Sequence, residues 1–405
     1  MKLETSQWRI FWTLMFMGTI VNIDKSMISM TLLAFQKEFG WAPDQLSIIL
    51  SVFYVSFILV TLVGGWVTDR YGYKKFVVTS LVFLTIFSVL FGSVSSLVAL
   101  AAFRLCVGFG QAAYTNGTPK ILATNFSVPQ CSTVQPKILA TAGIGGILAY
   151  TAATYVINLN WRYAYWGLSA LYAVVLFLMI KYVPEKKVEP APGAAKVSIF
   201  EAYKNRNVLL LAGGMMFNNM VAVGLLSWLP AIFQANFQMQ DTTKIGYILT
   251  VNSIVMTIAI VAAGTVINKF FLRKEKSFAL IASCIGALML LGFIFTSNLT
   301  LAVILLYLVT ILMMSIFTTL LVLPYRLVES RIIGSAFAVI NIGCFIGGMI
   351  SPLIIGKLAA ASGGSYTTGV MAFAAFFLLS GIIPLWLREK PATTDGQPQV
   401  PAAND

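Results

Sequence analysis

A chain of 405 residues that is 59% apolar and only 10% charged lies far outside the soluble range, where roughly a quarter of residues carry charge. Its net charge of +13 falls between long apolar runs and builds no groove-reading or zinc module, so nucleic acid is excluded as a partner and the lipid bilayer is the expected surroundings. With no His, four scattered Cys, and no nucleophile beside a base or Gly-rich phosphate loop, the chain is read as neither a metal protein nor an enzyme, and no cofactor is expected.

A spanning helix needs about 20 residues. The apolar runs divide into twelve: 8–35, 45–68, 76–94, 97–124, 133–157, 163–182, 207–235, 244–267, 277–297, 300–324, 334–359 and 366–387. The first is too long for the apolar core of a signal peptide and lacks a cleavage site, which predicts a retained helix. Residues 1–183 then form an N-terminal six-helix bundle and 184–206 a polar, Pro-rich cytoplasmic linker. Residues 207–390 form a second six-helix bundle, followed by a disordered cytoplasmic tail over 391–405. Lys and Arg divide nineteen to four between the two sides, which places both termini in the cytoplasm of a multi-pass cell-membrane protein.

Between the second and third runs the chain reads Gly65-Trp-Val-Thr-Asp69-Arg70-Tyr-Gly72-Tyr-Lys74-Lys75. A shift of 199 residues finds it again in weaker form, with Gly65, Asp69, Arg70, Lys74 and Lys75 falling on Gly264, Asn268, Lys269, Arg273 and Lys274. The chain is therefore two copies of one unit in parallel repeat. The loop resembles the signature of the major facilitator superfamily, and the resemblance spans nearly the whole chain. It implies an all-α membrane protein with twelve transmembrane helices in two pseudo-symmetric six-helix bundles, commonly a monomer. It also implies that Gly65, Asp69, Arg70, Gly72 and Lys74 act as a conformational latch, Asp and Arg pairing with neighbouring helix ends.

Few ions remain inside the runs. Lys25, Arg104, Lys120 and Lys137 are the interior bases and Asp24 is the one interior acid. An ion near the midplane costs at least ~2.5–3.5 kcal/mol, so Asp24, Lys25 and Arg104 are functional candidates, whereas Lys120 and Lys137 are placed to snorkel at the inner ends. On the first helix Asn22, Lys25, Ser26 and Ser29 make one polar stripe, and Asp24 points away from it. On the fourth, Arg104, Gly108, Gln111 and Thr115 share a face; on the second, Ser47, Ser51 and Tyr54 do. These phases predict an Asp24–Arg104 pair and a Lys25 left to meet an anion. The second half offers amides, hydroxyls and aromatics: Asn218, Asn219, Ser227, Tyr247, Asn252 and Asn341. Each amide serves equally well to bond helix to helix.

Asn22-Ile-Asp24-Lys25, Arg104-x-x-x-Gly108-x-x-Gln111, Trp161-Arg162, Ser227-Trp228-Leu229-Pro230 and Asn341-x-Gly343 with Ser351-Pro352 resemble motifs of the superfamily's anion:cation symporter branch, which takes up sugar acids and other organic anions with protons. The chain departs from that branch at Gln111, where the branch usually has Glu, and at Lys25, where it usually has Arg. The resemblance implies a secondary transporter that imports a small organic anion, a carboxylate such as a sugar acid, by rocking its halves. Asp24 would carry the coupling proton, and Lys25, Arg104, Asn22, Ser29, Tyr54, Gln111, Asn218, Asn219 and Asn341 would bind substrate. A multidrug/proton antiporter is the alternative. Against it, the fifth helix reads Gly143-Ile-Gly145-Gly146 without the Pro expected of such exporters, and the core is basic. A receptor that binds an anion without moving it could use the same cavity.

Overall fold

The computed structural model describes residues 3–185, 199–271, 274–329 and 332–388. Among them all regular structure is helical. A bilayer imposes this, because every backbone N–H and C=O must be satisfied within its own segment. The first half begins with α1 (Thr5–Phe39), α2 (Pro43–Tyr71), α3 (Tyr73–Ser93) and α4 (Leu97–Asn125). The fifth crossing is made of α5 (Val128–Leu139), α6 (Thr141–Leu148) and a π-helical turn over Ala149–Ala153, and runs on into α7 (Thr154–Tyr182).

Ten helical stretches are long and apolar enough to span a membrane, one of them the 50-residue run Thr133–Tyr182. That run breaks at Asn160, whose backbone leaves helical geometry (φ −164°, ψ 119°). The Asn160 side chain then accepts from the N–H of Arg162 at 3.0 Å, the cap of a new helix, so the run is two crossings. The polar residues at the middle of α1 dilute its hydropathy, but its 35 residues exceed the length of a span. With α1, the count reaches the twelve crossings read from the sequence.

In the second half, α8 (Ile199–Lys204) precedes α9 (Arg206–Phe237), α10 (Thr242–Phe270), α11 (Glu275–Phe295), α12 (Leu299–Val322), α13 (Pro324–Leu327), α14 (Ile333–Ala361) and α15 (Thr367–Ile382). The short α8 lies within the expected linker. Residues 199–204 are helical and lie on α14, with Ala202 fully buried. The rest of the linker, 186–198, and the expected tail, 391–405, lie outside the described residues.

The boundaries follow local rules. Gly40 stops α1 in the left-handed region (φ 67°), and Pro43 opens α2 at its first turn, where the missing N–H costs nothing. Asn205, Asp241 and Asn298 cap α9, α10 and α12 with side-chain oxygens on the first free N–H groups. In the fifth crossing Pro136 removes a ladder donor near the break at Ala140. The wide π turn that follows is bridged by Thr154 Oγ1 donating to Ala149 O at 3.2 Å.

The two halves meet along seams between α2 and α14, between α10 and the fifth crossing, and between α1 and α9. Small residues make the close approach possible. A Cβ on Gly356 would lie 2.6 Å from the Ser47 Cβ, and one on Gly348 would lie 2.7 Å from the Tyr54 ring. The seams are tight at the end holding Gly40 and Asn158, where Thr242 Oγ1 donates to Asn158 Oδ1 at 2.8 Å. They part toward the end holding both termini. Gly264 continues the face of α10 that lies on α6 yet has nothing within 4 Å, and Leu139, one turn beyond Gly143, is 67% exposed.

Candidate functional site

Asp24 lies on α1 and is 1% exposed. Arg104 Nη1 donates to its Oδ1 at 2.6 Å, which is the pair expected from the helical phases. Gln111 Nε2, two turns along α4, donates to Oδ2 at 2.5 Å, and the Tyr172 hydroxyl of α7 lies 3.5 Å from the same oxygen. One carboxylate thus ties α1 to α4 and α7. The Arg104 guanidinium also stacks 4.8 Å above the Phe53 ring of α2. Gly108 allows that neighbour in, because a Cβ there would strike the Phe53 carbonyl oxygen.

Lys25 is the odd charge out. Its Nζ stands 4.8 Å over the Phe57 ring, and it has no ion pair or hydrogen bond among the described residues. Beside it is a cavity of about 30 Å³ whose lining includes Lys25, Arg104, Tyr54 and, from the second half, Ser227. On the side nearer the termini Phe57 packs against Phe345 of α14, centroids 4.9 Å apart and the rings tilted, one from each half.

The remaining residues expected to bind substrate divide into three groups. Tyr54 is at the cavity. Asn22, Ser29 and Gln111 hold hydrogen bonds within the first half. Asn22 Nδ2 donates to Gly18 O at 2.8 Å and reaches Thr141 Oγ1 of α6 at 3.5 Å, and Ser29 is buried with its hydroxyl on Ser26 O. The polar stripe of α1 is therefore its contact with the fifth crossing, and Lys25 at the stripe's edge swings toward α2 and the second half. In that half, Asn219 donates to Cys344 O at 2.6 Å, and Asn252 accepts from Thr310 at 2.8 Å. Asn218 is fully buried and its amide has no hydrogen-bond partner among the described residues. Asn341 is exposed, about one turn from Phe345 toward the termini, while Tyr247 is 60% exposed.

At the end holding the termini, Lys74 donates to Ile180 O at 2.9 Å, capping the last turn of α7 with a cation where the helix dipole is negative. Gly72 makes the turn at φ 90°, a conformation that side chains resist. Arg70 is exposed at the end of α2, over the Tyr71 ring. The side-chain surroundings of 65, 69 and 268 lie outside the described residues. The opposite end holds a cluster whose role sequence reasoning left open. Trp161 Nε1 donates to Glu38 at 2.6 Å, and Arg162 pairs with the same carboxylate at 2.9 Å, joining α7 to the end of α1.

The profile of the Major Facilitator Superfamily matches residues 14–352. The chain belongs to that superfamily. It is a multi-pass membrane transporter of the all-helical, twelve-span type. Among solved structures the transporter resembles a bacterial homolog of the human lysosomal transporter Spinster, in inward-facing and occupied conformation, with a TM-score of 0.81 over 95% of this chain and 97% of that one at 14% identity. Among curated proteins it is 23% identical to the cis,cis-muconate transport protein of Acinetobacter baylyi, over 96% of both chains. It is 24% identical to the multidrug efflux protein YfmO of Bacillus subtilis, over 92% of this chain and 93% of that one. It is 26% identical to the 3-(3-hydroxy-phenyl)propionate transporter of Escherichia coli, over 78% and 77%.

Proposed function

We propose that the transporter imports a small organic anion together with a proton by alternating access, the anion's carboxylate meeting Lys25 between the two halves. The observation that carries this reading is the Lys25 ammonium, half-buried between the two halves beside a cavity and without an ion pair among the described residues. Asp24 is already committed to Arg104 and Gln111, so the cluster keeps one net positive charge that a single carboxylate would complete. With both termini cytoplasmic, the parted seams would face inward. Two of the relatives above are named for carboxylate transport, which supports the same substrate class.

Asp24 is the carboxylate proposed to carry the proton. Its protonation would weaken the pair with Arg104 and free the guanidinium for the substrate. Carrying one anion inward against a potential of 100 mV costs about 2.3 kcal/mol, and a proton moved with it cancels that cost. Lys25→Gln is expected to lower uptake of a carboxylate into proteoliposomes by roughly 100-fold without loss of fold, as expected for a buried charge left unmatched. Normal uptake by that variant would refute the site. Asp24→Asn is expected to remove the response to a pH gradient, and an undiminished response would rule out its role in coupling.

The second reading is export of amphipathic compounds, favoured by the likeness to YfmO. Efflux of cationic dyes by the reconstituted protein, with no carboxylate transport, would establish it.

A further inference from the structure

The cavity at Lys25 measures about 30 Å³, room for a water molecule and for no organic substrate, so part of its wall must move before anything larger reaches the ammonium. The seam between α2 and α14 shows which part. The two helices run antiparallel, with Gly356 on Ser47, Gly348 on the Tyr54 ring and Phe345 on the Phe57 ring. About one turn beyond Phe345 the seam has parted. Asn341 is exposed there, and Gly334, two turns further, has nothing within 4 Å of the place a Cβ would take. The two rings thus stand at the boundary between the closed stretch of seam and the parted one, with the cavity on the closed side.

The contact is of a kind that can break and reform. Its rings come from opposite halves, tilted at 50° with centroids 4.9 Å apart, and parting them breaks no hydrogen bond and separates no charges. One charge does bear on it. Lys25 Nζ, from α1 of the first half, stands 4.8 Å over the face of Phe57. With no ion pair or hydrogen bond for Lys25 among the described residues, that face is what the ammonium rests on, and it favours the one rotamer of Phe57 that meets Phe345. We propose that Phe57 and Phe345 form a two-ring gate between the parted end of the molecule and Lys25, and that Lys25 fastens the Phe57 ring in its closed position. Such a gate serves whichever compound is carried.

The gate has a native reporter on its cavity side. Cys344, a free thiol next to Phe345, lies within electrostatic reach of Lys25 and Tyr54. The test is the rate at which a charged methanethiosulfonate reagent modifies Cys344 in the full chain, solubilised in detergent, with Cys106, Cys131 and Cys284 replaced by Ser. Phe57→Ala and Phe345→Ala are each expected to raise that rate at least about 10-fold, and the double variant to add little, as for two members of one barrier. Lys25→Gln removes the cation, and Phe57→Leu keeps bulk but loses the ring face. Each is expected to raise the rate about 2- to 30-fold, the worth of a cation–π contact, while Lys25→Arg stays near the native rate. Phe217→Ala, which removes a ring paired with Phe376 within the second half, is expected to change nothing. Thermal unfolding of the same variants separates an opened gate from a lost fold, and Phe57→Leu decides wherever an Ala variant fails to fold. Native rates in the Phe57 and Phe345 variants, or an equal rise in Phe217→Ala, would overturn the gate. A native rate in Lys25→Gln would overturn the fastening.

Discussion

At the scale of single residues the site is a problem in charge. Two cations and one anion sit together between the helices, and the pair that satisfies itself, Asp24 with Arg104, is held at 2.6 Å and buried on both sides. Removing one partner leaves an uncompensated buried ion. Arg104→Met is expected to destabilise the protein by about 3–5 kcal/mol, and Asp24→Asn in the same chain to recover much of the loss. Thermal unfolding of the detergent-solubilised protein checks both. Gln111 shows the limit of reading a helix face. The amide can donate to whichever acceptor α1 presents, and α1 presents Asp24. Lys25 was readable because a base without an acid within reach stays conspicuous in any arrangement of helices.

At the scale of helices, contact is set by side chains too small to keep backbones apart. The α6–α10 seam depends on Gly143 and Gly146; a Cβ at Gly146 would stand 2.6 Å from Ser253 Oγ. Gly146→Val is therefore expected to force that seam open. A cysteine placed at Thr250, also on α10, should then react faster with a membrane-impermeant maleimide added from outside. The stripes of hydroxyls on α1 and α2 belong to this scale too. Ser47 and Tyr54 face the glycines of α14, and Asn22 faces α6, so these stripes are seams between helices before they are a lining for substrate. Periodicity identifies a polar face and cannot name the neighbour, because a face that meets water and a face that meets another helix favour the same residues.

At the scale of the whole molecule, the two halves are held together at one end by neutral contacts, among them the Thr242–Asn158 hydrogen bond. Such contacts part without separating charges, as a reversible closure requires. Asn158→Cys with Thr242→Cys, oxidised to a disulfide, is expected to stop transport, and a reductant to restore it. Transport that continues through the crosslink would show that this end does not open during the cycle.

Much of this was settled by the chain itself. Twelve spans, their boundaries within a few residues and the Asp24–Arg104 pair follow from hydropathy, capping and helical phase, which act over a turn or two of one helix and need no partner to be known. Tertiary structure alone decided that Asn219 and Asn252 bond within their own half, that Gln111 holds Asp24, and that Lys25 turns from the stripe it shares with Asn22 to a cavity between the halves. The physical reason is that an amide or a hydroxyl has no fixed destination: it bonds to whatever lies within 3 Å, and only the packing of distant segments decides what that is.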